Sequence, residues 1–249
     1  DHSGNNNNGS CANCPSYIPI GKFNSAYNFS GDSAGINISH SNSLNIIDKI
    51  TVMTWMKPST DLAALNIRLV HKKYSTSWLL ASGSVTINSL EVYLNNAIRA
   101  QSPAQVYQIN QWSLVGFTYD KDLGGTQEVK IYVNGNIVAT GDYSTAIGTD
   151  VYGITLGVHE GLDATYDFDG DLDEVAIWNR SLSSEEVYEL YSRGANVRNG
   201  TDFPSTSYLV AHNNGLDILD ANTNTMWMRM LSNFSNGKVT SVRASNGKI

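Results

Sequence analysis

The chain has 249 residues, 41% of them hydrophobic and only 16% charged, with a formal net charge of −7. That is enough apolar material for one large domain, or one domain and part of another, and the acidic balance excludes a protein that holds nucleic acid through a basic patch. No run approaches ~18 consecutive apolar residues, so no membrane span is predicted, and acidity by itself points first to solubility and only then to cation binding.

The first residue is Asp1 rather than Met, which predicts a processed product or a fragment. Residues 1–17 read as loop, rich in Asn, Gly and Ser, and carry Cys11 and Cys14. One Cys-x-x-Cys with no second pair does not complete a zinc set, and a redox motif would open a helix. A small local disulfide is expected, with free thiols as the alternative. Six Asn-x-Ser/Thr sequons, at Asn8, Asn28, Asn37, Asn179, Asn199 and Asn233, predict a secreted or cell-surface glycoprotein.

Short stretches with a period of two follow at 26–29, 35–38, 50–56, 67–71, 77–80, 90–94 and 112–119. Residues 129–133 and 136–139 flank Asn134-Gly135, the pair that a two-residue type I′ hairpin turn requires. Residues 152–157 add another strand. The run from Phe168 to Val187 reads as a closing strand and a capped helical turn. In strict alternation, Leu172, Glu174, Ala176 and Trp178 face one way, and Asp173, Val175, Ile177 and Asn179 the other. Ser183 stands three residues before Glu186, the capping-box spacing, and Leu182 and Val187 flank it as a hydrophobic staple would. Many short strands, one helix and no βαβ rhythm predict an all-β sandwich or jelly roll. After Arg193-Gly194 the character changes. Residues 198–207, with Pro204, read as a linker. Residues 208–212, 216–220 and 225–230 are strands of a β-meander, and 239–244 a further candidate.

Several segments carry a family resemblance in the right order: residues 1–9 (DHSGNNNNG), Gly21-Lys22-Phe23 with Phe29-Ser30-Gly31-Asp32, Met53 to Pro58 (MTWMKP), Trp112 to Asp120, Ile131 to Gly135 (IYVNG), and the closing strand and helix. Together they resemble laminin G-like, concanavalin A-like jelly-roll domains over residues 1–197. The resemblance implies a mostly extracellular, non-catalytic binding module. It also implies an initial strand before the first loop. Its absence predicts an open slot beside the closing strand, filled by an upstream segment or by strand donation from a neighbour. The segment 208–249 resembles the first blade of a β-propeller, which cannot bury its faces alone, so the chain is expected to be cut inside a second domain.

Asp171 and Asp173 are two apart on one strand face, the layout of concanavalin-like glycosidases. The third carboxylate of that pattern is absent and Glu174 lies on the opposite face, so catalysis is the least favoured reading. Calcium takes six to eight oxygen ligands. By resemblance, Asp32 and Asp173 would supply side chains and Gly31 backbone to a structural calcium, the alternative being that Asp173 accepts backbone hydrogen bonds. By resemblance to pentraxin-like relatives a second, rim calcium would use Glu160 and Asp163 with Asp61 opposite, the favoured alternative being a plain acidic loop. His71, His159 and His212 are dispersed and make neither a zinc set nor a triad. Trp55, Trp112 and Trp178 are expected in the core. Tyr74, Trp78, Tyr107, Tyr143 and Tyr166 lie nearer loops and are candidates to stack on sugar rings, with a structural or interface role as the equal alternative for each. The expected function is extracellular binding or adhesion to carbohydrate or a glycosylated partner, with calcium as a candidate aid. The rival is a structural subunit of a filament, sheath or virion, and a glycoside hydrolase comes third.

Overall fold

The computed structural model describes residues 1, 3–62, 66–83, 86–159, 164–195, 207–212, 215–220 and 226–231. Alternating apolar residues build two antiparallel seven-stranded sheets that face one another. The first runs β1 (Gly9–Ser10), β4 (Ile36–Ile38), β13 (Ile154–Leu156), β6 (Ile67–Lys72), β7 (Trp78–Ser82), β8 (Leu90–Leu94), β9 (Ala97–Gln101). The second runs β12 (Asn136–Gly141), β11 (Val129–Val133), β10 (Ser113–Asp120), β5 (Lys49–Pro58), β14 (Asp169–Trp178), β3 (Ala26–Ser30), β2 (Ser16–Ile18). Between them lies one core in which Trp78 meets Phe117 across the sandwich with ring centroids 6.2 Å apart. This is the all-β jelly-roll architecture expected from the pattern.

Local chemistry explains the turns. Asn134 and Gly135 both take positive φ, +50° and +80°, closing the β11–β12 hairpin as the sequence requires. Asn95 and Asn96 do the same between β8 and β9, at +50° and +67°. This second hairpin is not signalled by a glycine, and the sequence pattern does not announce β9, nor the short β1 and β2.

The closing strand differs from strict alternation. Glu174 has φ +48°, and the pairing of β14 with β5 shifts between Asp173 and Ala176. This β-bulge inserts an extra residue and reverses the inward set. Leu172 before it and Val175 and Ile177 after it all turn toward the core, while Trp178 packs on the outer face. Asp171 and Asp173, both before the bulge, do share the outer face, opposite Lys57 and Trp55.

The expected slot beside β14 does not exist. β14 is flanked on one side by β3 and on the other by β5, both from this chain, and every interior position of both sheets is filled. The amino-terminal segment supplies an edge strand to each sheet, through β1 and β2, instead of leaving one open.

The capping box forms in both directions. Glu186 N–H donates to Ser183 Oγ at 3.2 Å, and Ser183 N–H to Glu186 Oε2 at 2.9 Å. A bidentate Arg180 pairs with the same carboxylate and holds it down at about 2. Leu182 and Val187 are both buried beside it. The helix, α1 (Ser184–Ala195), runs well beyond the expected turn. Val187, Leu190, Tyr191 and Gly194 recur at helical spacing and lie against Met53, Trp55, Leu114 and Tyr132 of the second sheet's outer face. Tyr191 stacks on Trp55 at 6.0 Å. A third, three-stranded sheet is formed by β15 (Ser207–His212), β16 (Gly215–Asp220) and β17 (Met226–Leu231). Residues 198–206 of the linker and the 239–244 candidate lie outside the described residues, while Ser207 opens β15.

Lys72 and Asp150 form a buried ion pair at 2.7 Å, with side chains 1% and 7% exposed. Asp150 also accepts from Thr76 Oγ1 and Tyr152 N–H, and Lys72 donates to the Tyr152 carbonyl at 2.6 Å. Burial pushes the Asp150 carboxyl up, but Lys72, Thr76 and the Tyr152 amide together outweigh it and hold the group below its ordinary value. A depressed native pKa means the contribution to stability is present above the unfolded aspartate range and is lost as pH falls through the native value. Lys72→Met, which strands a buried carboxylate, should cost about 3–5 kcal/mol at neutral pH by urea unfolding, with the deficit shrinking in acid. A deficit independent of pH contradicts this assignment. Gly194→Ala should destabilise by about 1–3 kcal/mol, because a Cβ there would sit 2.1 Å from the Trp55 ring. In an unhindered helix the same change stabilises, so the sign of the shift in urea midpoint is the check.

Candidate functional site

Helix α1 packs on the outer face of the second sheet, while the first sheet's outer face is buried at its centre, at Arg68, His71, Leu79, Ala81 and Glu91, and exposed toward its edges, at Ser10, Asn37 and Ile98. Its register aligns Ser10, Asn37, Thr155, His71, Leu79, Tyr93 and Ile98 in a single row across all seven strands. A parallel row holds Arg68, Ala81, Glu91 and Gln101. The face is therefore largely polar. Glu91, fully buried, accepts from Gln101 Nε2 at 2.9 Å and Tyr93 OH at 3.2 Å. Tyr93 OH in turn accepts from Asn66 Nδ2 at 2.7 Å, and Arg68 donates to Asn66 Oδ1. His71 Nε2 is 3.0 Å from the Val158 carbonyl and hydrogen-bonds Thr155 Oγ1.

Two of the five aromatic candidates come together here. Tyr74 and Tyr166 lie on the Arg68 guanidinium, at 4.8 and 5.5 Å, and Tyr74 meets Tyr93 edge-on. The other three are corrected. Trp78 is fully buried between the sheets. Tyr107 is 3% exposed and its hydroxyl bonds Ser82, burial pushing its pKa up. Tyr143 packs on the core beneath Arg99, 3.9 Å from its ring, with its hydroxyl held by Asn95. Proximity to loops in the sequence misplaced them, since all three close the sandwich at its rim.

At the β4–β13–β6 side of the face is a groove of about 240 Å³, bordered by Asn37, Ser39, His71, Lys73, Tyr152 and Thr155. Tyr152 is 52% exposed, with Lys73 Nζ 4.8 Å over its ring. Its backbone N–H and carbonyl are both fixed by the buried Asp150–Lys72 pair. An exposed ring on an immobilised backbone is a preorganised stacking surface. Tyr152 and Lys73 were not legible as site residues. The one usable signal is the polar Lys72-Lys73 doublet at the end of an apolar strand.

The carboxylates take structural roles. Asp173 accepts from Phe23 N–H through Oδ2 and Glu174 N–H through Oδ1, both at 2.8 Å. Burial pushes its carboxyl up against the pull of the Phe23, Glu174 and Lys22 amides. It thereby clamps the Gly21–Phe23 loop, whose Lys22 amine lies 4.4 Å over Trp55. Asp171 pairs with Lys57 at 3.3 Å and accepts from Asn28 at 2.7 Å. Asp32 is not brought to Asp173. Asp169 is level with Ser30, so four residues of strand, roughly 13 Å, separate Asp173 from that end. Asp32 offers its carbonyl to Asn13, and Gly31 donates its N–H to Phe168 O. With both Asp173 oxygens facing amide hydrogens, the pair does not fit a calcium ion. The early loop is tied to the closing segment by Asp167 instead, which accepts from Ser33 N–H at 2.8 Å and His159 N–H at 2.9 Å. Among the described residues no three His, Cys, Asp or Glu side chains gather as a metal set. Asp61 accepts from Asn88, while Glu160 and Asp163 lie outside the described residues. Cys11 and Cys14 are joined as a disulfide with Cα atoms 5.0 Å apart. Of the sequons, Asn199 and Asn233 lie outside the described residues, Asn28 is engaged by Asp171, and Asn8, Asn37 and Asn179 are exposed.

Two facing seven-stranded antiparallel sheets with a helix packed on one of them define the class of protein as a jelly-roll sandwich. The chain belongs to the concanavalin A-like lectin/glucanases superfamily, whose family model matches residues 30–188. Solved structures share the fold at low identity. Domain 4 of AbnA, a GH43 extracellular arabinanase from Geobacillus stearothermophilus, in complex with arabinotriose, is 20% identical, with TM-score 0.56, over 74% of this chain and 87% of that one. A putative carbohydrate binding protein from Bacteroides ovatus is 19% identical, TM-score 0.55, over 81% of this chain and 56% of that one. The binding domain of Paraclostridial Mosquitocidal Protein 1 is 14% identical, TM-score 0.60, over 95% of this chain and 65% of that one. Among the described residues no helix is long and apolar enough to cross a membrane.

Removing the clamp should expose its role. Asp173→Ala leaves backbone amides of the Gly21–Phe23 loop and the bulge without acceptors, at a cost of about 1–3 kcal/mol. Thermal unfolding should show the same loss in EDTA and in excess calcium; a loss confined to calcium-containing buffer would restore Asp173 as a ligand.

Proposed function

We propose that this protein is an extracellular, non-catalytic carbohydrate-binding module and that the groove beside Tyr152 on the first sheet's outer face is its ligand site. The observation that carries the reading is Tyr152 itself, an exposed ring whose backbone is pinned at both ends by a buried ion pair. Sugar rings present an apolar face and a rim of hydroxyls. A fixed aromatic surface takes the first, and the Asn37 amide, Ser39 hydroxyl and Lys73 amine around the groove take the second. The groove is smaller than the ~300–1,000 Å³ of pockets that enclose a drug-sized ligand, so it suits one ring of a chain. The arabinotriose complex of the similarly folded arabinanase domain supports carbohydrate as the ligand class.

The test is a glycan array including arabino-oligosaccharides, followed by titration calorimetry on the best ligand. Tyr152→Ala should weaken binding about tenfold, the ~1.4 kcal/mol expected for truncating an aromatic anchor, with an unchanged unfolding midpoint. Repeating the titration in EDTA reads whether calcium, through Glu160 and Asp163, assists. No glycan signal from the folded protein, or full affinity in Tyr152→Ala, overturns the assignment.

A further inference from the structure

The groove contains a sequon. Asn37-Ile38-Ser39 lies on and just after β4, where Ile36 and Ile38 pack against the core. Period two therefore puts Asn37 and Ser39 together on the opposite, outer face, and both are exposed and border the groove. That places the acceptor amide and the hydroxyl that the motif requires side by side. The other described sequons differ. Asn28 is half-buried in the second sheet, with its amide donated to Asp171, which is itself held by Lys57. Asn8 lies in the first loop, where its carbonyl oxygen accepts from the Asp1 amino group. Asn179 is exposed at the end of β14, on the other sheet and away from the groove.

We propose that Asn37 is an N-glycosylation site and that its glycan covers the groove, so that modification closes the ligand site. The covering half of this inference rests on the groove being the site named above; the modification itself does not. In the transfer, Asn37 Nδ2 bonds to the anomeric carbon of a lipid-pyrophosphate-linked oligosaccharide. The bond from that carbon to the pyrophosphate oxygen breaks, the lipid pyrophosphate leaves with the electron pair, and Nδ2 loses one proton to the transferase. No oxidation or reduction occurs. The first sugar then hangs from a side chain at the groove wall and reaches Tyr152 without any movement of the sheet. The same modification at Asn179 leaves the groove open.

The full chain, secreted from a glycosylating host, tests both halves. Enzymatic removal of N-glycans in heavy-oxygen water, followed by peptide mass mapping, should convert Asn37 and Asn179 to labelled aspartate and leave Asn28 unlabelled. Nitration of Tyr152 by tetranitromethane should be several-fold slower than in chain made without glycans. It should recover in Asn37→Gln and in Ser39→Ala, which retains the asparagine, but not in Asn179→Gln. An unlabelled Asn37 peptide, or Tyr152 nitration that does not respond to Asn37→Gln, overturns the proposal. Glycan binding by the unmodified protein is read separately: its absence would remove the ligand-site assignment while mass mapping and nitration still report on Asn37.

Discussion

The extra residue at Glu174 governs which way the second sheet can be used. A strand that alternated strictly would turn Val175 and Ile177 out toward α1 and bring Trp178 into the core. The bulge lets both halves of β14 present aliphatic residues inward, and it leaves Asp173 and Trp55 together on the outside. There the carboxylate gathers backbone amides and the indole becomes the floor on which Tyr191 and Gly194 of the helix rest. The helix thus rests on a platform made by a backbone irregularity, in the sheet opposite the one that carries the proposed groove.

The first sheet's outer face is held by polar contacts where the core is held by apolar ones. Glu91, Arg68 and His71 are nearly inaccessible to solvent, yet each is engaged by side chains or carbonyls on the same face. Buried polar groups satisfied in this way resist rearrangement, because breaking one contact strands its partner. A chain with few charges places several of them in this layer, and the Lys72–Asp150 pair extends the same logic to the loop that carries Tyr152. Rigidity at the rim is thus electrostatic in origin.

Features written in contiguous residues are legible in the sequence. Ser183 and Glu186 specify the helix start, Asn134-Gly135 specifies a hairpin, and the period-two runs specify the long strands. Features that depend on distant pairing are not. Nothing local distinguishes Glu174 as a bulge, since the residue tolerates ordinary strand geometry and only the register with β5 forces it out. Trp78, Tyr107 and Tyr143 border loops in sequence but fill the ends of the core, where large rings close gaps between curved layers. Tyr152 escapes notice for the converse reason: the sequence pattern reads it as the start of an apolar strand, whereas β13 begins at Ile154 and Tyr152 stands exposed before it. Asp167, which ties two loops together, stands in an acidic run where Asp169, Asp171 and Asp173 look equivalent.

The amino-terminal segment edges both layers. β1 pairs with β4 through only Gly9↔Ile38 and Ser10↔Asn37, β2 pairs with β3, and the Cys11–Cys14 bridge sits in the crossing between them. Mechanically this is a hasp. Tension arriving through the residues before Gly9 loads two rungs in a peeling geometry, where they open in succession. The disulfide takes up slack in the crossing, so the pull passes on to β2 and the second sheet. The first strand uncovered is β4, which carries one wall of the groove, so a load borne at that end of the molecule is felt first at the surface assigned to the ligand.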